Sequence, residues 1–148
     1  MLFCCQLEQT KGFQVSETRI DGHNCFVCGK TNPLGLQLTF HLEEDICRAE
    51  FTPADDHCGF DGITHGGIIF SALDDVMANW IYLNDIRAFT AKCEIRYKGY
   101  LPTGTPVMLE GRCVKNRGRL IVMHGKMIRI DTQEVVAETE ASFMVEST

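Results

Sequence analysis

The 148-residue chain has only four prolines and one tryptophan, and it contains no repeat and no low-complexity stretch. Fibrous, solenoid and linker-like chains are thereby excluded. Nowhere does an apolar run approach the roughly 20 residues that a bilayer span needs, so no membrane association is expected. The apolar opening Met1-Leu2-Phe3-Cys4-Cys5 breaks off at Gln6, with no basic flank and no small-residue cleavage site, so no secretory leader is expected either. Cationic charge is also short. Lys+Arg number 14 against 20 Asp+Glu, a net charge of −6, which argues against nucleic acid as a partner because phosphate binding needs a surplus of cations. A small anionic ligand held by a local basic patch stays open.

What is present is a hydrophobic fraction of 45% with 23% charged residues, the balance of a globular chain of one-domain length. Eight cysteines occur, several inside strand-like apolar patterns. Without an export signal they read as free thiols in a reducing cytoplasm.

Residues 1–22 are weakly patterned and read as an arm or a short helix. Residues 23–35 are turn-rich, and Leu36, Leu38, Phe40 and Leu42 then alternate as a strand, with Ile46 to Phe51 returning after the charged turn Glu43-Glu44-Asp45. Residues 52–67 form a long, glycine-containing loop. From Gly66 to Leu83 the apolar residues Ile68, Ile69, Ala72, Leu73, Val76, Met77, Trp80 and Leu83 make one helical stripe, and Asn84-Asp85 ends it. Four further strands follow, centred on Cys93–Tyr97, Val107–Cys113, Leu120–Ile130 and Val135–Val145, with a hairpin signal at Asn116-Arg117-Gly118. The order of two strands, one helix and four strands predicts an α+β fold with a mostly antiparallel six-stranded sheet. One helix covers one face only, so a second copy is the simplest cover for the rest.

The densest chemistry lies in His57-Cys58-Gly59-Phe60-Asp61-Gly62-Ile63-Thr64-His65-Gly66-Gly67, with Asp74 nine residues after His65. Glycines at a helix start let a ligand approach the backbone, and the first helical N–H groups lack intrahelical partners and carry the positive end of the dipole. Such donors suit a carbonyl oxygen that turns negative during acyl transfer. Asp74 lies off the centre of the apolar stripe, flanked by Phe70 and Ile81, where partial desolvation would suit a base or nucleophile. Taken singly, each feature has a plainer account: Gly-Gly is common loop chemistry, His65 a loop histidine, Asp74 a solvated helix charge. Their joint placement points to chemistry.

These residues resemble the acyl-CoA thioesterases of the hotdog fold, in particular the PaaI-like branch, in which a His-Gly-Gly turn opens the central helix and an acid follows nine residues on. The resemblance runs back to Cys25-Phe26-Val27-Cys28-Gly29 and Asn32-Pro33-Leu34-Gly35. It runs forward through Thr90–Tyr97, Pro102-Thr103-Gly104 and the last strand, covering residues 23–146. It implies a long helix wrapped by the sheet, and two subunits, or a dimer of dimers, with active sites at the interface. It further implies Asp74 as general base or nucleophile, the N–H of Gly66 or Gly67 polarising the thioester carbonyl, and His65 orienting it or assisting the departing thiolate. Thr90 would hold the attacking water and face the partner's Asp74. CoA enters as part of the substrate, and no cofactor is expected. Relatives often carry Asn where Gly59 stands, contacting the thioester, which leaves an acyl-CoA-binding protein without turnover as the alternative. Arg117-Gly118-Arg119 is a candidate clamp for CoA phosphates, with a solvated hairpin tip as the plain alternative and Arg96 and Lys98 as weaker candidates. Phe60, Phe70, Met77, Trp80 and Phe89 are compatible with an acyl pocket and equally with core packing. Cys25-x-x-Cys28 has the spacing of a zinc half-site, but no second such pair exists; a plain tight turn is the first reading, zinc and then a redox pair are the alternatives, and no metal is assigned.

Overall fold

The apolar stripe forms the expected helix. In the computed structural model, which describes residues 14–15 and 19–147, α1 spans Gly66–Leu83. Its residues Ile69, Leu73, Val76, Met77 and Trp80 are buried against the sheet. His65 caps its start, and Asn84 followed by Asp85 at a φ of 61° ends it.

The strands are β1 (Gln14–Val15), β2 (His41–Glu43), β3 (Ile46–Phe51), β4 (Ala88–Tyr97), β5 (Val107–Arg117), β6 (Leu120–Arg129) and β7 (Val135–Val145). They make one sheet in the order β1-β2-β3-β5-β6-β7-β4, and every neighbouring pair is antiparallel. Six of these strands are the expected ones wrapped on one helix. The seventh, the two-residue β1, comes from the arm, whose other residues before Arg19 lie outside the described ones. β4 does not pair with its sequence neighbour β5. The chain crosses the sheet instead, so β3 meets β5 while β4 takes the far edge beside β7.

One strand is shorter than its alternation suggests. Leu36, Leu38 and Phe40 do point inward at every second position, but β2 begins only at His41. Gln37 adopts a left-handed φ of 53°, and Leu36 and Leu38 donate their N–H groups to Phe26 and Val27 of the cysteine turn rather than to a strand. Alternating burial therefore persists without a ladder.

Two glycines set how closely α1 lies on the sheet. Gly111 and Gly125 face each other across β5 and β6. A Cβ at Gly111 would lie 2.8 Å from the carbonyl oxygen of Val76 on α1. Backbone cannot yield there as a side chain can, so the helix sits at a distance that only glycine permits.

Candidate active site

The loop before α1 is shaped by its own bonds. Gly59 donates its N–H to the Ile63 carbonyl at 2.8 Å, and Thr64 donates to Leu101 at 2.8 Å, tying the loop to the segment after β4. His65 then turns back onto the helix it opens, its Nδ1 accepting the Gly67 N–H at 2.8 Å. A ring nitrogen that accepts carries no proton, so the proton of the neutral ring sits on Nε2, which is left for other partners. The bond also distinguishes the two glycines. The Gly67 N–H is taken by His65, while the Gly66 N–H has no acceptor among the described residues. Of the two expected carbonyl donors, Gly66 is the one left available.

Tyr97 at the end of β4 donates its hydroxyl to the Gly66 carbonyl at 2.8 Å, and a Cβ at Gly66 would lie 3.2 Å from that hydroxyl. The strand therefore braces the first turn of the helix through the space a side chain would take. Between them opens a cleft of about 770 Å³, lined by Gly59, Phe60, Ile63, His65, Tyr97 and Tyr100 among others. Phe60 and Tyr100 are each 82% exposed, so the cleft presents aromatic rings to solvent. Gly59 contributes bare backbone beside the His65 ring, since a Cβ there would lie 3.2 Å from the imidazole Cδ2.

Asp74 is half-buried, two turns along α1. Thr90 Oγ1 donates to its Oδ1 at 2.8 Å. This corrects the expectation that Thr90 faces the partner's Asp74. β4 packs beside α1 of the same chain, and the irregular register between Thr90 and Lys92 re-aims the strand at that point. Burial pushes the Asp74 carboxyl above its usual range, opposed by the Thr90 hydrogen bond and by the positive charge of Arg19. Nearby Cys93 is pushed up to about 11, chiefly by burial and further by the charge of Asp74.

Gly66 and Asp74 do not meet in one chain. Eight residues of helix separate them, about 12 Å of rise, and both lie on the same rod. Nor is the arginine hairpin near the His65 turn. Arg117 shares its cross-sheet row with Leu120, Met144 and Phe89, whereas Leu109 shares one with Met127, Ala137 and Tyr97. Seven residues on β6 and β7, and eight on the irregular β4 and β5, separate the rows, about 23 Å. Within the hairpin, Gly118 takes a φ of 62° and Arg119 spends its guanidinium on the Val145 carbonyl, at 3.1 and 3.2 Å, while Arg117 is exposed. Lys98, on the cleft, is paired with Glu138 at 2.9 Å.

Of the aromatic and sulfur candidates for an acyl pocket, Phe60 lies in the cleft. Met77 and Trp80 are core residues, with Trp80 Nε1 donating to the Asp45 carbonyl at 2.9 Å. Phe89 is 54% exposed beside Arg87. Sequence reasoning passed over Tyr97 and Tyr100, because alternation along a strand does not reveal that its end meets a helix start. It also passed over Asp75, which is more deeply buried than Asp74 and lies against Arg19, Cys25 and Cys28. The i, i+4 pair Asp75 and Asn79 on an otherwise apolar helix face was the available signal. The six described cysteines, Cys25, Cys28, Cys47, Cys58, Cys93 and Cys113, are all free thiols.

The profile of the thioesterase superfamily matches residues 61–136, just over half of the chain. Among solved structures, a thioesterase superfamily protein, RHA08564, is similar at 26% identity and a TM-score of 0.75, over 80% of this chain and 61% of that one. This chain thus spans less than two thirds of that relative's length. A Streptococcus mutans protein, smu.793, solved bound to acetyl CoA, is similar at 20% identity and a TM-score of 0.68, over 72% of this chain and 86% of that one. The E. coli PaaI protein, from the phenylacetic acid degradation operon, shares the fold at 16% identity and a TM-score of 0.70, over 76% of this chain and 81% of that one. No curated protein sequence matches the chain significantly.

Proposed function

The chain belongs to the thioesterase superfamily and has its hotdog fold, and from that premise we propose that it hydrolyses acyl-CoA thioesters at sites shared between two copies. The observation that carries the reading is Asp74: a half-buried carboxylate with a raised pKa, oriented by Thr90 beside the bare edge of the sheet. That CoA is the carrier is supported by the solved relatives that hold acetyl CoA or CoA.

The edge strand supplies the geometry. Among the described residues no strand pairs with the outer side of β4. Antiparallel pairing of β4 with the same strand of a second copy continues the sheet, and it sets the start of one β4 against the end of the other. Asp74 and Thr90 of one chain then approach the His65 turn and Tyr97 of its partner. The 12 Å separation within a single helix ceases to matter, and the arginine hairpin of one copy moves toward the cleft of the other, where Arg117 would meet CoA phosphates.

In the reaction the thioester carbonyl oxygen accepts from the Gly66 N–H, which strengthens its hold as the oxygen becomes negative. Asp74 removes a proton from water as the water attacks the carbonyl carbon, or attacks that carbon itself to give an anhydride that water then opens. The C–S bond breaks, the sulfur takes up a proton to leave as CoA, and the acid is released. His65, whose protonated Nε2 points away from the helix bond, orients the substrate or supplies the proton to sulfur. Gly59 leaves space and backbone beside His65 where relatives often place Asn. Residues 23–146 form the thioesterase unit on this reading.

The test is thiol release from a panel of acyl-CoAs of graded chain length, including aromatic acyl groups. The expected result is turnover that falls by about 10²- to 10⁴-fold in Asp74→Ala. Tight acyl-CoA binding with no thiol release from any member identifies a binding protein instead. Equal rates in Asp74→Ala and the parent remove Asp74 from the mechanism.

A further inference from the structure

Facing Asp75, the residue after Asp74 on α1, the turn Cys25-Phe26-Val27-Cys28-Gly29 closes tightly. Cys28 N–H approaches Cys25 Sγ at 3.5 Å, and Gly29 N–H bonds the Cys25 carbonyl at 2.9 Å. A Cβ at Gly29 would lie 2.4 Å from the Cys25 nitrogen, so only glycine lets the turn fold back and set both sulfurs on one side. Facing them, α1 delivers Asp75, only 7% exposed. Asn79 Nδ2 holds its Oδ2 at 3.0 Å, which leaves Oδ1 toward the sulfurs, 4.0 Å from Cys25 Sγ. The two sulfurs and one carboxylate oxygen all lie within 4.8 Å of one another, although Asp75 is 50 residues from Cys25 in sequence. Spacing alone could not have shown this third ligand.

A cation already sits among them. Arg19 Nη2 is 3.4 Å from Cys25 Sγ, 3.6 Å from Cys28 Sγ and 3.7 Å from Asp75 Oδ1, nearly equidistant from the three. The guanidinium fits this place poorly. It offers one nitrogen to three ligands, and its Nε is buried with no hydrogen-bond partner among the described residues. A compact ion drawn in among the three, with the ligands closing to roughly 2.0–2.3 Å, would satisfy all of them at once.

We propose that Cys25, Cys28 and Asp75 form a zinc site and that Arg19 is the cation that occupies it in zinc's absence, so that arginine and metal compete for the same three ligand atoms. Two sulfurs and one carboxylate oxygen suit zinc in tetrahedral geometry, with water in the fourth position, on the side from which Arg19 enters. Binding converts both thiols to thiolates and releases their two protons to solvent. The filled site keeps one net negative charge. Zinc there ties the chain before β2 to the middle of α1 and does not depend on the hydrolytic reading.

The experiment uses the full chain without a His-tag, stripped with chelator and titrated with Co²⁺, then Zn²⁺. One cobalt per chain is expected, with thiolate-to-cobalt charge transfer and the d–d absorption of tetrahedral cobalt, both abolished by zinc. Cys25→Ser should weaken binding by about tenfold or more, Arg19→Ala should tighten it, and Cys93→Ser, outside the cluster, should leave it unchanged. Asp75→Asn tests the third ligand if it folds, and the half-exposed Cys25 carries the test if it does not. Absence of the cobalt spectrum, its survival in Cys25→Ser, or weaker binding in Arg19→Ala would each overturn the site.

Discussion

Asp74 and Thr90 are coupled through one hydrogen bond, and that bond makes the proton on Asp74 adjustable. Thr90 donates to the carboxylate and so favours its charged form against the burial that opposes it. Thr90→Val removes the donor, so the Asp74 pKa rises further. The acid limb of kcat/KM against pH is then expected to move to higher pH, while the maximal rate above it falls less than in Asp74→Ala. A limb that stays in place would show that another group controls it. The same burial has an opposite effect on stability. A carboxyl whose pKa is raised on folding weakens the fold as pH climbs through that pKa. Asp74→Asn should therefore melt at a higher temperature than the parent at pH 8, with the difference vanishing once pH drops below the ordinary carboxylate range. Thermal melts across pH read both sign and window.

At the level of elements, the contact between α1 and Gly111 leaves no room for a side chain. Gly111→Ala places a methyl group against backbone rather than a movable side chain. It should cost about 1–3 kcal/mol, seen as a lower Tm with the β5–β6 hairpin intact by circular dichroism. The helix itself was legible in the sequence, with approximate bounds that match the observed ones, because eight apolar positions at one spacing and the Asn84-Asp85 stop leave no competing reading. The later strands were legible for the same reason at period two. The shortening of β2 was not, because the left-handed turn at Gln37 leaves the pattern of burial intact while diverting the hydrogen bonds. At the site, His65, Gly66 and Asp74 could be picked out by spacing along one chain. Tyr97 against Gly66, Thr90 on its own chain's Asp74, and Asp75 among the cysteines depend on which strand lies beside the helix, which alternation does not encode.

For the whole molecule, the proposed shared site makes a prediction that no single variant can. Asp74→Ala removes the carboxylate a chain lends. Gly66→Val fills the helix start it keeps, pressing on Tyr97. Each homodimer should be inactive. Unfolded and refolded together, half of the random dimers carry one of each chain and restore one of two sites, so activity should return to about a quarter of the parent's. No recovery in a mixture shown to contain mixed dimers would place the whole reaction within one chain. The unpaired side of β4 thus links catalysis to abundance. If each reactive centre needs both an edge and its copy, dilution acts as an inhibitor: turnover per chain should fall away below the dimer's dissociation constant and come back on concentration, with no change in any residue.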